Sequence, residues 1–535
     1  MKLNCIIIFL ILGIFPLTAQ EHAWVYFNDK PQADTYLANP QSMLSQRALA
    51  RKNLHQTPID VRDVPVEESY VTTIKNQTGI SVKATSKWLN CVHVIGDINT
   101  INALINFNFV DKIVFANKNI SPVTSKINKR DYTTITKNVE NQEEVYTYGN
   151  TQEQVEMLNA HVLHENNYTG ENIHIAVIDG GFSGVMNIAA FSELRNQNRL
   201  LGGYDFVEKS TNYWLPAGDH GTKVLATMAG NIPNQYVGTA PKASYYLFRT
   251  EDGNAETPVE ESYWVEAIER ADSLGVNVIN TSLGYSIYDN SAYSYTPSDM
   301  DGQTAFCSKA ANIATEKGML VVVSAGNSGN NSSFPNISAP ADANVLTVGA
   351  VDSNETYANF SSIGSTADGR IKPDVMAKGV STAVINANNT IVANNGTSFS
   401  APIIAGAAAC LWQANPSKTA EELMQIIKAS SSRYNQPDNF YGYGIPDFSL
   451  ALNNVLNTTK NKTNTSLVYP NPTNNFIQIN TSYTFNYKIY NTQGKLIEKR
   501  KGVQQKIDVS NFTQGIYILH LEIEKQNFIH KIIKY

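Results

Sequence analysis

Cysteine is scarce in this chain: 535 residues carry four, at positions 5, 91, 307 and 410. No two stand at C-x-x-C or similar spacing, which argues against thiolate metal sites and redox pairs. Charge is sparse as well. Only 16% of residues are charged and the formal net is −6, so there is no basic surplus to hold nucleic acid. After the N-terminus no apolar run approaches the roughly 18 residues that a membrane-crossing helix needs, which predicts a soluble mature chain.

What is present begins with a leader. Met1-Lys2, the apolar run Cys5 to Pro16 and then Leu17-Thr18-Ala19 form a secretory signal pattern with cleavage expected after Ala19. Cys5 lacks the small preceding residue of a lipidated cysteine. Cys307 and Cys410 sit in apolar helical contexts, which favours buried core residues over a disulfide, although export permits one. Composition then divides the chain into residues 1–19 as signal peptide, 20–147 as an α+β unit with its linker, and 148–455 as an α/β domain. Residues 456–466 read as a polar linker and 467–535 as a β-rich tail.

In the first unit, strands at His22–Phe27, Ile80–Ile95 (a pair) and Val110–Phe115 alternate with helices at Gln41–Leu54, Val66–Gln77 and Ile101–Phe107. That predicts a ferredoxin-like layer of helices on an antiparallel sheet. His55 and His93 stand alone there and read as a surface residue and a strand residue. From 148 to 455, nearly continuous apolar strands (Ile173–Asp179, Ser244–Arg249, Val276–Leu283, Met319–Ser324, Asn344–Val351) alternate with helices Gly221–Ala229, Val259–Leu274 and Thr304–Lys317. Such alternation predicts a parallel sheet with helices on both faces. Short strands with regular turn signals predict a small β-sandwich for the tail.

Ligands of such parallel sheets sit at the carboxyl ends of strands, and the reactive side chains fall there. Asp179 ends a strand ahead of Gly180-Gly181. A helix cap, a metal ligand or the acid of a nucleotide hydrolase compete as readings, the last weakened because no G-x-x-x-x-G-K-[ST] loop is near. His220, in Gly218-Asp-His-Gly-Thr222, precedes a helix, where a cap or surface role competes. Its neighbour Asp219 is badly placed to orient it and reads as a cap or surface acid. Asn327 follows a buried strand within Asn-Ser-Gly, a turn signal in its own right. Ser398 stands in Asn395-Gly-Thr-Ser-Phe-Ser-Ala-Pro402, at the start of a helix apolar or small all round, hence buried.

A plain cap competes for Ser398 too. Yet a hydroxyl at the positive end of a buried helix favours a nucleophile and its oxyanion. Pro402 fits the first turn, where a missing N–H costs nothing. Together the four residues suggest attack by Ser398, proton transfer by His220, orientation by Asp179 and oxyanion binding by Asn327 with the Ser398 N–H. An α/β-hydrolase esterase is disfavoured because no G-x-S-x-G elbow exists.

Val177-Ile-Asp179-Gly-Gly, Asp219-His220-Gly-Thr-Lys-Val, Ser324-Ala-Gly-Asn327 and Gly396-Thr-Ser398-Phe-Ser-Ala-Pro402 resemble the four sequence blocks of the subtilases. The Asp…His…Ser order of these subtilisin-like serine endopeptidases also matches. The resemblance spans roughly Tyr148 to Val455. It implies a subtilisin-like fold and a secreted endopeptidase that hydrolyses peptide bonds through an acyl-enzyme intermediate. Asp179, His220 and Ser398 would be catalytic and Asn327 the oxyanion donor. Ser282-Leu283-Gly284 is similar to the segment that pairs with substrate backbone, and Ala325-Gly326 would bind substrate beside it.

Calcium sites are frequent in that family, but no loop here has convincing ligand spacing; no metal and no cofactor are assigned. Gly180 departs from the Thr or Ser that many members carry. Acidic Glu251, Asp252 and Glu256 replace a glycine-rich substrate strand; they read either as a preference for basic substrate residues or, the favoured reading, as a solvated loop.

The flanks resemble known parts as well. Residues 20–147 are similar to subtilase propeptides, which implies a zymogen inhibited by its own propeptide, with Arg130 as a processing point. The tail, from Val468-Tyr-Pro-Asn-Pro-Thr473 to Lys531-Ile-Ile-Lys-Tyr535, looks like the C-terminal sorting domain of type IX secretion. That implies a Bacteroidota source, engagement of that secretion machinery, and a secreted or cell-surface location. The expected partners are protein or peptide substrates, with no nucleic acid, and the expected state is a monomer. A peptidase dedicated to one partner and a binding or adhesion protein without turnover are the competing readings. The filled reactive positions disfavour the second.

Overall fold

The computed structural model describes residues 20–124, 146–215, 218–460, 468–479, 481, 483–503, 506–523 and 526–535. The leader, Arg130 and most of the second linker lie outside them. The chain forms two compact units that part between Leu456 and Asn457.

Seven parallel strands organise the larger unit. Their order across the sheet is Val375–Lys378, Leu346–Val351, Leu320–Ser324, Val278–Thr281, His174–Asp179, Ser244–Arg249 and Leu200–Asp205. Alternate side chains feed opposite faces, as the period of two requires. Ile175 and Val177 enter one hydrophobic cluster with the helices His220–Ala229 and Thr397–Ala414. Ala176 and Ile178 enter the other, with the helices Val259–Leu274 and Phe306–Glu316. Burial from both sides explains why these strands read as unbroken apolar runs.

Two edge strands were not foreseen. Leu200-Leu-Gly-Gly-Tyr-Asp205 is only half-buried and holds two glycines, and Val375–Lys378 has four residues and ends in a lysine. Neither carries a strong strand signal. Cys91, Cys307 and Cys410 are free and buried. Cys307 and Cys410 belong to the two different clusters on opposite sides of the sheet, which separates them.

The N-terminal domain of the same unit has the expected ferredoxin-like sheet, antiparallel throughout. Its strand order is Ile80–Ser86, Cys91–Asp97, Gln20–Phe27, Val110–Phe115 and Val123–Thr124. One face packs under the helices Glu68–Lys75 and Ile98–Ala103 through Val25, Ile74, Val92 and Ile101. The other face places Trp24, Ala84, Trp88 and Cys91 in the same cluster as Val259–Leu274 and Phe306–Glu316.

Two expectations are corrected by this docking. His93 is a strand residue, but it does not stand alone: it is 1% exposed, bonded to His22 at 3.0 Å and to Ser262 at 2.7 Å. His55 is no surface residue either, since its ring stacks on Trp412 and a ring nitrogen meets the Pro416 carbonyl at 2.9 Å. The helix expected from Gln41 begins only at Gln46, capped by Ser45, whose hydroxyl accepts the Ala48 N–H at 3.1 Å.

The smaller unit stacks a three-stranded sheet (Val468–Tyr469, Phe476–Ile479, Lys506–Asp508) and a four-stranded one (Leu496–Val503, Phe485–Asn491, Gly515–Ile523, Gln526–Lys534). Their shared core holds Ile477, Phe485, Ile489, Ile507, Leu519 and Leu521, as a small sandwich requires. Among the described residues no helix is long and apolar enough to cross a membrane.

Candidate active site

Asp179 is the last residue of the strand His174–Asp179 and is completely buried. One carboxylate oxygen accepts the Gly180 N–H at 2.8 Å and meets Nδ1 of His220 at 2.7 Å; the other, Oδ2, has no hydrogen-bond partner among the described residues. His220 is the first residue of its helix, and its side chain is 43% exposed, so its far edge is open. The Asp179 charge, set against burial, raises the imidazole above its ordinary value. Gly221 makes the approach possible. A Cβ there would lie 2.6 Å from Phe182 and 2.9 Å from the Asp179 Cβ. Asp219 precedes the helix without capping it through its side chain. It pairs instead with Lys223 at 2.8 Å and accepts the Ala387 N–H at 3.2 Å.

The helix Thr397–Ala414 is buried through Gln413. Gly396 occupies its N-cap at φ 146°, a conformation that favours glycine, and no side chain caps it. Ser398 is therefore not the cap but the second helical residue, a position whose N–H has no acceptor within the helix. Pro402 also differs from expectation. It is the sixth residue, in the second turn, where it removes the N–H that would bond the Ser398 carbonyl. Ser282 fills that gap, its hydroxyl donating to the Ser398 carbonyl at 2.9 Å. Composition alone hid this link between a mid-helix proline and a serine 116 residues before the carbonyl that the proline orphans.

The Ser398 hydroxyl points toward the Ser282 carbonyl, 3.5 Å away, and no hydrogen bond joins it to His220 among the described residues. The ring of the next residue, Phe399, lies 5.7 Å from the His220 ring, which places the start of this helix beside the imidazole.

Asn327 follows the strand Leu320–Ser324. Its Oδ1 accepts the Thr397 N–H at 2.9 Å and the Thr397 hydroxyl at 3.0 Å, which fixes the amide so that Nδ2 is left to donate elsewhere. Nδ2 faces Gly396, at 3.6 Å from where a Cβ would stand. Gly326 donates to the Thr397 hydroxyl at 3.2 Å, and Ala325 is fully buried. Ser282 is buried, Leu283 half-buried and Gly284 exposed, so the backbone of this segment emerges at the surface. A Cβ on Gly284 would meet Ser338 Oγ at 2.2 Å, so a larger residue there would force that hydroxyl to turn away.

Glu251, expected in a solvated loop, is instead half-buried and hydrogen-bonded. Glu256 is exposed as expected. Among the described residues no cluster of His, Cys, Asp and Glu is arranged to hold a metal.

Comparison with known proteins identifies the family of the domain that carries these residues. Residues 170–444, half of the chain, match the description "Subtilase family". The chain belongs to the subtilase family. Subtilisin E of Bacillus subtilis (strain 168) is 32% identical over 293 residues, covering 54% of this chain and 68% of that protein. Subtilisin DY of Bacillus licheniformis is 33% identical over 292 residues, covering 54% and 93%. The crystal structure of MycP1 from Mycobacterium smegmatis aligns with a TM-score of 0.45 at 23% identity, over 58% of this chain and 89% of that one.

The flanks of this subtilase match as well. Residues 22–133 fit "Peptidase S8 propeptide domain, Bacteroidota" and residues 467–535 fit "Secretion system C-terminal sorting domain". The protein is thus a subtilisin-like serine peptidase made with a propeptide and a sorting domain for export.

Proposed function

We propose that this subtilase is a secreted serine endopeptidase in which Ser398 attacks the scissile carbonyl of a protein or peptide substrate. His220 takes the hydroxyl proton and returns it to the leaving amine, which leaves an acyl-enzyme on Ser398 that water then hydrolyses. Asp179 fixes the tautomer with the Nδ1 proton facing it and stabilises the imidazolium as it forms. Asn327 Nδ2 and the Ser398 N–H bind the tetrahedral oxygen, while Ser282, Leu283, Gly284, Ala325 and Gly326 lie along the bound peptide. No metal or cofactor takes part in this reading. The propeptide holds the zymogen inactive, and the tail directs the chain through type IX secretion to the cell surface or the medium.

The observation that carries the reading is the 2.7 Å contact of a buried carboxylate with an imidazole that is otherwise open, beside the N-terminus of a buried helix that presents a serine. A fluorophosphonate or sulfonyl fluoride probe tests it. The processed protein is expected to be labelled and to cleave a peptide library. Ser398→Ala is expected to lose both. Absence of labelling in the wild type would leave only a scaffold without turnover.

A further inference from the structure

The segment that follows the strand Ser244–Arg249 is tied to the site in a way the mechanism above does not use. The Thr250 N–H donates to the Asp179 carbonyl at 3.2 Å. Glu251 then covers the open side of Gly180: a Cβ on that glycine would stand 3.6 Å from the Glu251 Cβ and 3.8 Å from its Cγ. Its Oε1 accepts the Tyr285 hydroxyl at 2.7 Å and the Thr250 hydroxyl at 2.9 Å. Tyr285 directly follows Ser282-Leu283-Gly284 and is itself fixed by reciprocal backbone bonds to Ala339. One carboxyl thus joins the catalytic-acid loop to the segment on which substrate is read to lie. Among the described residues no cation pairs with it.

We propose that Glu251 is a positioning residue of the peptidase site, one that fastens the Ser282–Gly284 segment to the Asp179 loop and changes the electrostatics of the Asp179–His220 pair when it ionises. This rests on the endopeptidase reading. The groups that face the carboxyl are Asp179, Glu256, Tyr285 and Thr250, with Glu260 on the following helix. Burial is the main force that pushes Glu251 up to about 7; Glu256 and Asp179 add to it, and the hydrogen bonds from Tyr285 and Thr250 oppose it.

Below that pH the carboxyl is neutral and the Tyr285 bond is an ordinary one. Above it, the bond becomes charge-assisted and shortens the tie. A second negative charge then lies near Asp179 and favours the imidazolium that His220 becomes during attack. Two protons, one on His220 and one on Glu251, must therefore leave before full activity, and the acid limb of kcat/KM is steeper than a single ionisation allows.

The test uses full-length protein after self-processing, with active sites counted by a sulfonyl fluoride so that rates refer to competent enzyme. The wild type is expected to show an acid limb with a slope above one. Glu251→Gln keeps an acceptor for Tyr285 but cannot ionise. It is expected to give a slope of one and a kcat/KM lower by about threefold to tenfold at pH 8. Tyr285→Phe removes the tie and keeps the charge, so it is expected to raise KM while the steep limb remains. A one-proton limb in the wild type, or a labelled Glu251→Gln enzyme with unchanged slope and rate, overturns the inference. Failure of the wild type to label overturns the endopeptidase reading itself, a result that the variants do not mimic.

Discussion

The propeptide contacts the helix Val259–Leu274 along its length, with Ser86 and Trp88 bonded to Glu269 in its middle, and the contacts toward its two ends are made of different materials. Near the start of that helix the contacts are neutral. Trp24 donates to the Ser262 hydroxyl at 2.9 Å and stacks on Phe306, and the same hydroxyl meets His93 at 2.7 Å. At the far end an arm, residues 45–64, brings charge into full burial. Arg51 and Lys52 close on Asp272, the latter at 2.9 Å, and Asp60 and Asp63 close on Lys317 at 3.0 and 2.6 Å. The four residues Lys52, Asp63, Asp272 and Lys317 have side chains at most 1% exposed. Neutral contacts resist a change of partner only by shape, whereas buried ions punish the loss of either member. The arm is thus the part of the interface least tolerant of substitution.

The largest effect is expected where that asymmetry is strongest. Asp272→Asn leaves Arg51 buried without a counter-charge and leaves Lys52 only the more distant Asp63, at 3.4 Å, a change that costs about 3–5 kcal/mol. The expected outcome is activity that appears far sooner after processing, measured against a peptide substrate, because the cleaved propeptide leaves roughly 10²- to 10⁴-fold more readily. Ser262→Ala removes the acceptor of Trp24 and the partner of His93 without adding charge. It is expected to cost about 1–3 kcal/mol by the same measurement. If the two variants release the propeptide equally fast, the contrast between the contacts fails.

Acid should separate them as well. Burial lowers His22 to about 4 and holds His93 well below 6.5; Lys83 pushes both down, and His22 adds to the effect on His93. Free imidazoles titrate near 6.5, so the sheet contact is whole above that pH and weakens as pH falls from 6.5 to 4. Each proton taken up changes affinity by about tenfold per pH unit in that window. The ion pairs of the arm behave otherwise. Burial pushes the Asp272 carboxyl up, but Lys52 and Arg51 outweigh it and hold it well below the usual carboxylate range. Its contribution is therefore complete above about 4 and is lost only in stronger acid. Release of the processed propeptide, followed from pH 8 to 4, is expected to quicken below 6.5 in the wild type. In His22→Gln/His93→Gln that dependence is expected to shrink to what His55 in the arm supplies, since burial against Trp412 lowers that imidazole too.

This contrast also marks what the amino-acid order could disclose. Strands such as Leu320–Ser324 and the helix Thr397–Ala414 were legible because burial on all sides leaves an unbroken apolar run. The four candidate site residues stood out because each sits in a short local motif at a strand end or helix start. What stayed hidden are pairings across long stretches of chain. Arg51 lies 221 residues from Asp272, Ser282 lies 116 from Ser398, and Glu251 lies 34 from Tyr285. A lysine or glutamate looks the same in a sequence whether solvated or buried against its partner. Hence Glu251 read as a loop residue and His93 as a lone one. Pro402 misled for a related reason: its place in the second turn is tolerable only because a distant hydroxyl satisfies the carbonyl it orphans.

The smallest expected effect closes the comparison within the arm itself. Arg62 bonds Glu316 at 2.6 Å, the same distance as the fully buried Lys317–Asp63 pair, yet Glu316 is 58% exposed. Water screens that pair and hydrates either member when the other is lost, so exposed ion pairs are worth about 0–1 kcal/mol. Arg62 keeps its second partner, Asp60, at 2.7 Å in any case. Glu316→Ala is therefore expected to leave the onset of activity within about fivefold of the wild type. Set beside Asp272→Asn, it changes the same kind of charge on the same face of the peptidase domain and differs chiefly in burial. A Glu316→Ala effect as large as that of Asp272→Asn would mean that the count of ion pairs, rather than their removal from water, governs how the arm holds.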